Sequence, residues 1–407
     1  MLAQCKQLHF GSRFFSMKTI KQNVPVSFSY NVHFTEELFD QGNALLADLI
    51  EEKASVADRK ILFVFDEGMY EYHPDLFKKI EHYISENTSD IELVDSPVIL
   101  PGGERAKNDP AHVQKLYEVI NDANLDRHSY IAAIGGGAVI DTVGYAAATA
   151  HRGIRMIRIP TTVLAQNDAS VGVKNGINAF GKKNFLGTFT PPFAVLNDAA
   201  FLRTLDDRDW RAGISEAIKV ALLKDADFFD FIDRKARLLN EGDEAAMQKL
   251  IYRCAALHLD HIANSGDPFE MGSSRPLDFG HWSAHKLEQL TNYELRHGEA
   301  VAIGITLDVT YAYLNKMITE DEWKRILDVF VKTGFQIYVP ELTARLNQPN
   351  HPNSIFHGLE EFREHLGGEL TIMLIEGIGK EQEVHQVEYK QYIEAISLIR
   401  SYNKQLA

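Results

Sequence analysis

The sequence predicts an N-terminal α/β domain built on a mostly parallel sheet, followed by a mainly α-helical C-terminal domain. Three observations carry this. From about residue 60, short β-rich runs alternate with longer amphipathic ones, and such alternation implies parallel strands joined by crossover helices. One of these strands runs into three consecutive glycines and then a helix. After Asp198 the strand character ends, and helical periodicity persists to about Tyr313.

Residues 1–20 are expected to form an N-terminal extension, disordered in the simplest reading. The stretch MLAQCKQLHFGSRFFSMKTIKQ is basic and amphipathic, and the first acid is Glu36. That suits either an organelle transit peptide or an extension ahead of a start at Met17; the lack of a clear cleavage signal favours the second. The first domain is placed at 21–198. KILFVFDE (60–67) reads as a buried strand ending in acids, with a helix near 75–86. IELVDSPVILPGGE holds one strand and a turn, and PAHVQKLYEVINDANL is an amphipathic helix. SYIAAIGGGAVIDTVGYAAATA is strand, glycine loop and helix; IRMIRIPTT is a further strand, and the domain closes at FAVLND (193–198). The second domain is placed at 199–407. Its helices cover DWRAGISEAIKVALL, EAAMQKLIYRCAALHLDHIA, HWSAHKLEQL and EAVAIGITLDVTYAYL, and ELTIMLIEGIG (369–379) reads as one late strand.

Composition excludes several function classes. A net charge of −15 argues against nucleic-acid and anionic-membrane partners, which need basic surface. Cys5 and Cys254 give no disulfide framework and suit a reducing, cytoplasmic location. No apolar run is long enough for a transmembrane helix.

Three clusters point to chemistry. In IAAIGGGAVID (131–141), Gly135, Gly136 and Gly137 let backbone approach a phosphate at a helix N-terminus. The loop lacks the G-x-G-x-x-G fingerprint, and a plain strand-to-helix turn is the alternative. Asp66 at a strand end suits ribose hydroxyls and Lys107 in PGGERAK suits a phosphate, so together they suggest a dinucleotide. In the lysine- and asparagine-rich loop within 158–189, Lys174, Lys182, Lys183, Asn175, Asn178 and Asn184 cluster among glycines, with Arg152 and Arg155 upstream. In so acidic a chain this suits an anionic substrate; a solvated basic loop is the alternative. Finally, RPLDFGHWSAHKLEQLTNYELRHGEAVAIG (275–304) holds His281, His285 and His297, and RAGISEAIK holds Glu216. One carboxylate and two imidazoles form the ligand set of a catalytic zinc with an open position, yet spacing does not choose two histidines of three.

PGGE, GGGAVIDTVGYAAATAHRGIR, IPTTVLAQNDASVGVKNGIN, GKKNFLGTF, RAGISEAIK, DFGHWSAH and RHGEAVAIG occur in the order seen in 3-dehydroquinate synthases and the wider sugar phosphate cyclases. From about Asp66 to Gly304, roughly three-fifths of its length, the chain resembles that superfamily. The resemblance implies a Rossmann-like NAD-binding domain and a helical domain that binds metal, Zn2+ or Co2+, and substrate. By it, Glu216, His281 and His297 are the metal ligands and His285 is a second, non-ligating histidine. Asp66, Glu104, Lys107, the three glycines, Asp141, Thr161, Thr162 and Lys183 become nucleotide contacts. Asp168, Lys174, Asn184 and Lys219 fall on substrate-site positions, and Arg152 on an arginine that reaches the partner's phosphate site in a homodimer. The implied reaction is a phosphate-eliminating carbon–oxygen lyase step. A ring carbinol is oxidised transiently by NAD+ with metal polarisation, phosphate leaves, the hydride returns, and ring opening and an aldol closure give a carbocycle.

Departures from the shikimate-route synthases narrow the substrate. No lysine lies between Lys249 and Lys286, where the family has one ahead of FGH, and His258 or His261 stands near that place. No lysine lies between Lys332 and Lys380, where an Asp-Lys-Lys is expected. The asparagine of NFGH is Asp278, and Arg275 sits one residue nearer the motif. Burying a substrate carboxylate with fewer cations and an added acid is costly. VGVKNGIN and DFGH also resemble cyclases of sedoheptulose 7-phosphate, which make valiolone-type C7 cyclitols. Since 2-epi-5-epi-valiolone synthases can replace the second histidine by proline, retention of His285 points to a 2-epi-valiolone-type product. The alternatives are a 3-dehydroquinate synthase with an altered site and, further off, a metal-dependent polyol dehydrogenase of the same two-domain plan.

Overall fold

The computed structural model describes residues 19–52, 59–267, 269 and 275–406; residues 1–18 of the expected N-terminal extension lie outside this set. Strands β1 (Asn31–Thr35), β2 (Arg59–Asp66), β3 (Ile91–Leu93), β4 (Val98–Leu100), β5 (Tyr130–Gly135) and β6 (Arg155–Pro160) precede a hairpin of β7 (Lys174–Ala179) and β8 (Lys182–Phe189), and β9 (Ala194–Asp198) follows it. All but the hairpin strands form one seven-stranded parallel sheet in the order β1-β9-β6-β5-β2-β3, with β4 also on β2. Period-two alternation along β2 divides the core between the two faces. Ile61, Phe63 and Phe65 pack with Ile50, Ile80 and Tyr83 from helices 45–52 and 76–87. Leu62 and Val64 face the other way, onto Val113, Leu116, Ile140 and Val143 from helices 110–122 and 137–149.

The chain leaves β2 toward β3 and β4 and returns to β5 on the opposite side of β2. That reversal opens a crevice at the carboxyl ends of β2 and β5, the place where open α/β sheets bind ligands. Asp66 ends one strand and the glycine loop follows the other.

Two readings change in the first domain. IELVDSPVIL forms two short strands, not one, because Pro97 has no N–H for the ladder. The basic segment is not a loop but an antiparallel hairpin, turning at Phe180 (φ 54°) and Gly181 (φ 72°). Two successive positive φ values match the twist of a tight hairpin. β8 is largely exposed, and β7 buries Asn175, Gly176 and Ile177 in a row, so hydrophobic alternation gave no warning of either strand.

In the second part, helices 207–224, 244–264, 281–290 and 297–314 pack into one core. Helices 320–332 and 389–406, and β11 (Lys380–Val384) beside β10 (Ile372–Gly377), complete it. Helix 297–314 is buried on nearly every side. A Cβ on Gly298 would stand 2.1 Å from the Ala212 carbonyl oxygen, and one on Gly304 2.1 Å from that of Gly280. The three helices therefore meet backbone against backbone. Among the described residues no helix is long and apolar enough to cross a membrane.

Gly304→Ala forces helices 281–290 and 297–314 apart. Overpacking of this kind costs about 1–3 kcal/mol, read as a lower urea midpoint at unchanged slope. An unchanged midpoint would show that the crossing is looser than described.

Candidate active site

Each helix at this crossing brings one polar side chain to a common point. Helix 207–224 starts from an Asp206 cap that accepts the Asp209 N–H, and it carries Glu216 and Lys219 on one face. Gly280, left-handed at φ 77°, starts helix 281–290, so His281 is its first residue. His297 opens helix 297–314, where Glu299 accepts the Arg296 N–H at 2.9 Å and two bonds from Arg208 at 2.8 and 2.6 Å.

Glu216 is fully buried, and its Oε1 has no hydrogen-bond partner among the described residues. Two imidazole nitrogens face that oxygen, Nε2 of His297 at 3.6 Å and Nε2 of His281 at 3.8 Å. The far side of each ring fixes the tautomer: Nδ1–H of His281 donates to the Phe279 carbonyl at 3.0 Å, and Nδ1–H of His297 to Glu288 Oε2 at 3.2 Å. In the neutral form of each ring, Nε2 therefore presents a lone pair. Ligand atoms around a tetrahedral ion with bonds near 2.1 Å stand about 3.4 Å apart, so this trio fits a dication. Burial pushes His281 down to about 3, with the Lys219 charge adding, which keeps it neutral as a ligand must be.

His285 joins a second convergence with Glu288 and His297. That group is already satisfied, since Glu288 accepts Lys183 at 2.7 Å and the His297 Nδ1–H. Burial and the neighbouring His281 push His285 down to about 3 as well, and its ring stacks on His297 with centroids 5.9 Å apart. It stands beside the trio as a neutral imidazole. Burial tends to lower His297, but the Glu288 carboxylate outweighs it and holds it above the ordinary value.

The remaining polar groups alternate in charge. Lys219 pairs with Glu216 and also feels Asp168; burial opposes its charge, yet the two carboxylates hold it protonated. His258 Nδ1 stands 2.8 Å from Asp168 Oδ1, so His258 reaches this cluster. Asp278, in the turn Pro276–Asp278, is held below the usual carboxylate range against its burial by His281, Lys174 and Arg275. Six of the catalytic candidates, His285, Lys174, Lys219, Asp168, Asp278 and Arg275, thus surround the metal trio.

On the sheet side, Gly136 caps helix 137–149 with no side chain, leaving its first N–H groups toward the crevice. A Cβ on Gly135 would stand 2.8 Å from the Asp66 Cβ, so the loop and the strand end lie in contact. Asp66 accepts the Gly68 N–H at 2.9 Å and is raised, above all by burial. Thr161 N–H donates to the Gly135 carbonyl, and Thr162 Oγ1 accepts the Ala165 N–H. Lys107 binds Asp141 at 2.6 Å and Asn184 Oδ1 at 2.5 Å, so Asn184 lies with the nucleotide candidates rather than beside the trio. Lys183 bridges Glu104 at 3.2 Å and Glu288 at 2.7 Å.

Arg152 is exposed at the far end of the 13-residue helix 137–149, about 20 Å along the axis from the glycine loop. It does not join the cluster around Glu216. Glu288 was missed in the sequence, although it shares a helix face with His281 and His285.

The family described as 3-dehydroquinate synthase N-terminal matches residues 97–212, and its C-terminal counterpart matches 213–349. A 3-dehydroquinate synthase of Nitrosomonas europaea is 31% identical over 94% of this chain and 97% of its own length. A 2-epi-5-epi-valiolone synthase of Streptomyces glaucescens is 30% identical over 89% of each. The solved 2-epi-5-epi-valiolone synthase of Streptomyces hygroscopicus subsp. jinggangensis 5008, with NAD+ and Zn2+ bound, superposes with a TM-score of 0.83 at 28% identity, covering 94% of this chain and 100% of that one. A 2-deoxy-scyllo-inosose synthase complexed with carbaglucose-6-phosphate, NAD+ and Co2+ shares the fold, with a TM-score of 0.71 at 22% identity over 91% and 96% of the two chains.

Glu288→Gln removes the carboxylate that orients His297. Losing such a partner weakens Zn2+ binding about 10- to 100-fold in a chelator competition, with the fold intact. Unchanged affinity would mean that Glu288 serves Lys183 alone.

Proposed function

The chain belongs to the 3-dehydroquinate synthase family of sugar phosphate cyclases, and we propose that it converts sedoheptulose 7-phosphate to a valiolone-type C7 cyclitol with release of phosphate. It does so as an NAD+- and Zn2+- or Co2+-dependent lyase. The observation that carries the substrate is charge balance around the trio. Glu216, Asp168 and Asp278 are matched by Lys219, Lys174 and Arg275. A bound dication then balances a phosphate near its second ionisation, and a further substrate carboxylate would have no partner. A neutral hydroxymethyl group fits, with Asp278 as the acceptor of its hydroxyl.

When bound, NAD+ accepts and returns a hydride and the dication acts as a Lewis acid. Glu216, His281 and His297 hold the dication, and the glycine loop, Asp66 and the Lys107–Asp141 pair hold the nucleotide. Lys174 and Arg275 bind the phosphate, joined by Arg152 of the partner subunit in a homodimer. His285, neutral at physiological pH, takes and gives the protons of elimination and ring closure. Asp168, braced by His258, and Lys219 fix the ring hydroxyls. Its retention of His285 supports the 2-epi-valiolone series.

A second reading, a 3-dehydroquinate synthase with an altered site, is supported by the names of most curated relatives. For a polyol dehydrogenase, two glycerol dehydrogenases share the fold alone, at 15% identity.

Purified protein with NAD+ and Zn2+ is expected to release phosphate from sedoheptulose 7-phosphate without net NADH. Turnover restricted to the carboxylate-bearing heptose phosphate of the shikimate route would establish the second reading, and NADH build-up without phosphate release the dehydrogenase.

A further inference from the structure

Asp308 has no place in the scheme above, yet it is fully buried in helix 297–314, and among the described residues no cation shifts its pKa. Its carboxylate accepts three neutral donors: Gly280 N–H at 3.2 Å, Trp282 Nε1–H at 2.9 Å and Tyr392 O–H at 2.9 Å. Two of these belong to the residues on either side of His281. Burial pushes this carboxyl up to about 7, and a buried acid held only by neutral donors costs stability, which suggests that its geometry matters more than its contribution to stability.

We propose that Asp308 is a positioning residue for His281: it ties both neighbours of that ligand to the helix that begins with His297. The inference rests on the reading of Glu216, His281 and His297 as the metal site. Helix 281–290 has no side-chain cap of its own, and its first residue follows a left-handed Gly280. The packing of Gly280 on Gly304 fixes how close the turn comes, and side-chain bonds to Gly280 and Trp282 add a tie on each side of His281. Asp308 supplies both ties one turn beyond Gly304, the residue on which Gly280 rests. One rigid helix therefore sets the positions of both imidazoles, the one it carries and the one it holds. Tyr392 brings the C-terminal helix 389–406 onto the same carboxylate.

The test is metal binding rather than turnover. Zn2+ affinity is measured by chelator competition, and coordination by the visible absorption of the Co2+ form. Asp308→Asn keeps the shape but turns one acceptor into a donor, and is expected to weaken Zn2+ about 10- to 100-fold and alter the Co2+ bands. Trp282→Phe, which cuts one tie, is expected to do the same to a smaller degree, whereas Tyr392→Phe, which leaves both, binds as wild type. A folded Asp308→Asn protein with wild-type affinity and bands overturns the proposal. If that variant does not fold, Trp282→Phe decides by the same readouts, and wild-type values overturn it. A wild-type protein that takes up no metal would instead sink the site reading itself.

Discussion

A carboxylate with no access to water governs the second half of this molecule. Glu216 lies where helices 207–224, 281–290 and 297–314 meet, and an ionised carboxylate there is expensive unless positive charge is brought to it. Lys219 answers one oxygen, and the other faces two imidazole lone pairs. Three electron-rich atoms converge on a point that a dication fits and an apolar group does not. The close packing at Gly298, Gly304 and Gly280 is what permits this convergence, because any wider crossing would separate the histidines from the glutamate.

The same constraint extends to the sheet domain through charge. His297 leans on Glu288, Glu288 on Lys183, and Lys183 on Glu104 at the crevice. Lys183 sits on the hairpin and Glu288 on helix 281–290, so a single ammonium joins the proposed nucleotide side to the proposed metal side. In the proposed reaction the two groups act on the same carbinol, and this bridge holds their supports in register. In the proposed reading, the alternating charges of Lys219, Asp168, Asp278, Lys174 and Arg275 balance one phosphate and leave no partner for an additional anion.

Much of this architecture is legible in the amino-acid sequence. Buried parallel strands read as continuous apolar runs, so β2, β5 and β6 and the glycine loop between strand and helix announce themselves. β1, NVHFT, is half polar and pairs only through β9, far along the chain, so its local signal is weak. The hairpin, exposed on much of its surface, is hidden among glycines and lysines for the same reason. At the site, residue types point to a metal but not to its ligands. The choice among three histidines depends on Phe279 O, Glu288 and Glu216 orienting particular nitrogens, and that is tertiary geometry. Family resemblance supplies the proposed assignment, and these contacts are the physical argument for it. The C-terminal region, which carries none of the family's motifs, contributes Tyr392 to the Asp308 anchor.

The account turns on which side chains hold the ion, and X-ray absorption at the zinc edge of the loaded protein addresses that directly. Two imidazoles and oxygen donors near 2.0–2.1 Å are expected. The spectrum should keep both imidazoles in His285→Ala and lose one in His281→Ala. Three imidazoles in the wild type, or a spectrum that responds to His285→Ala and ignores His281→Ala, would contradict it.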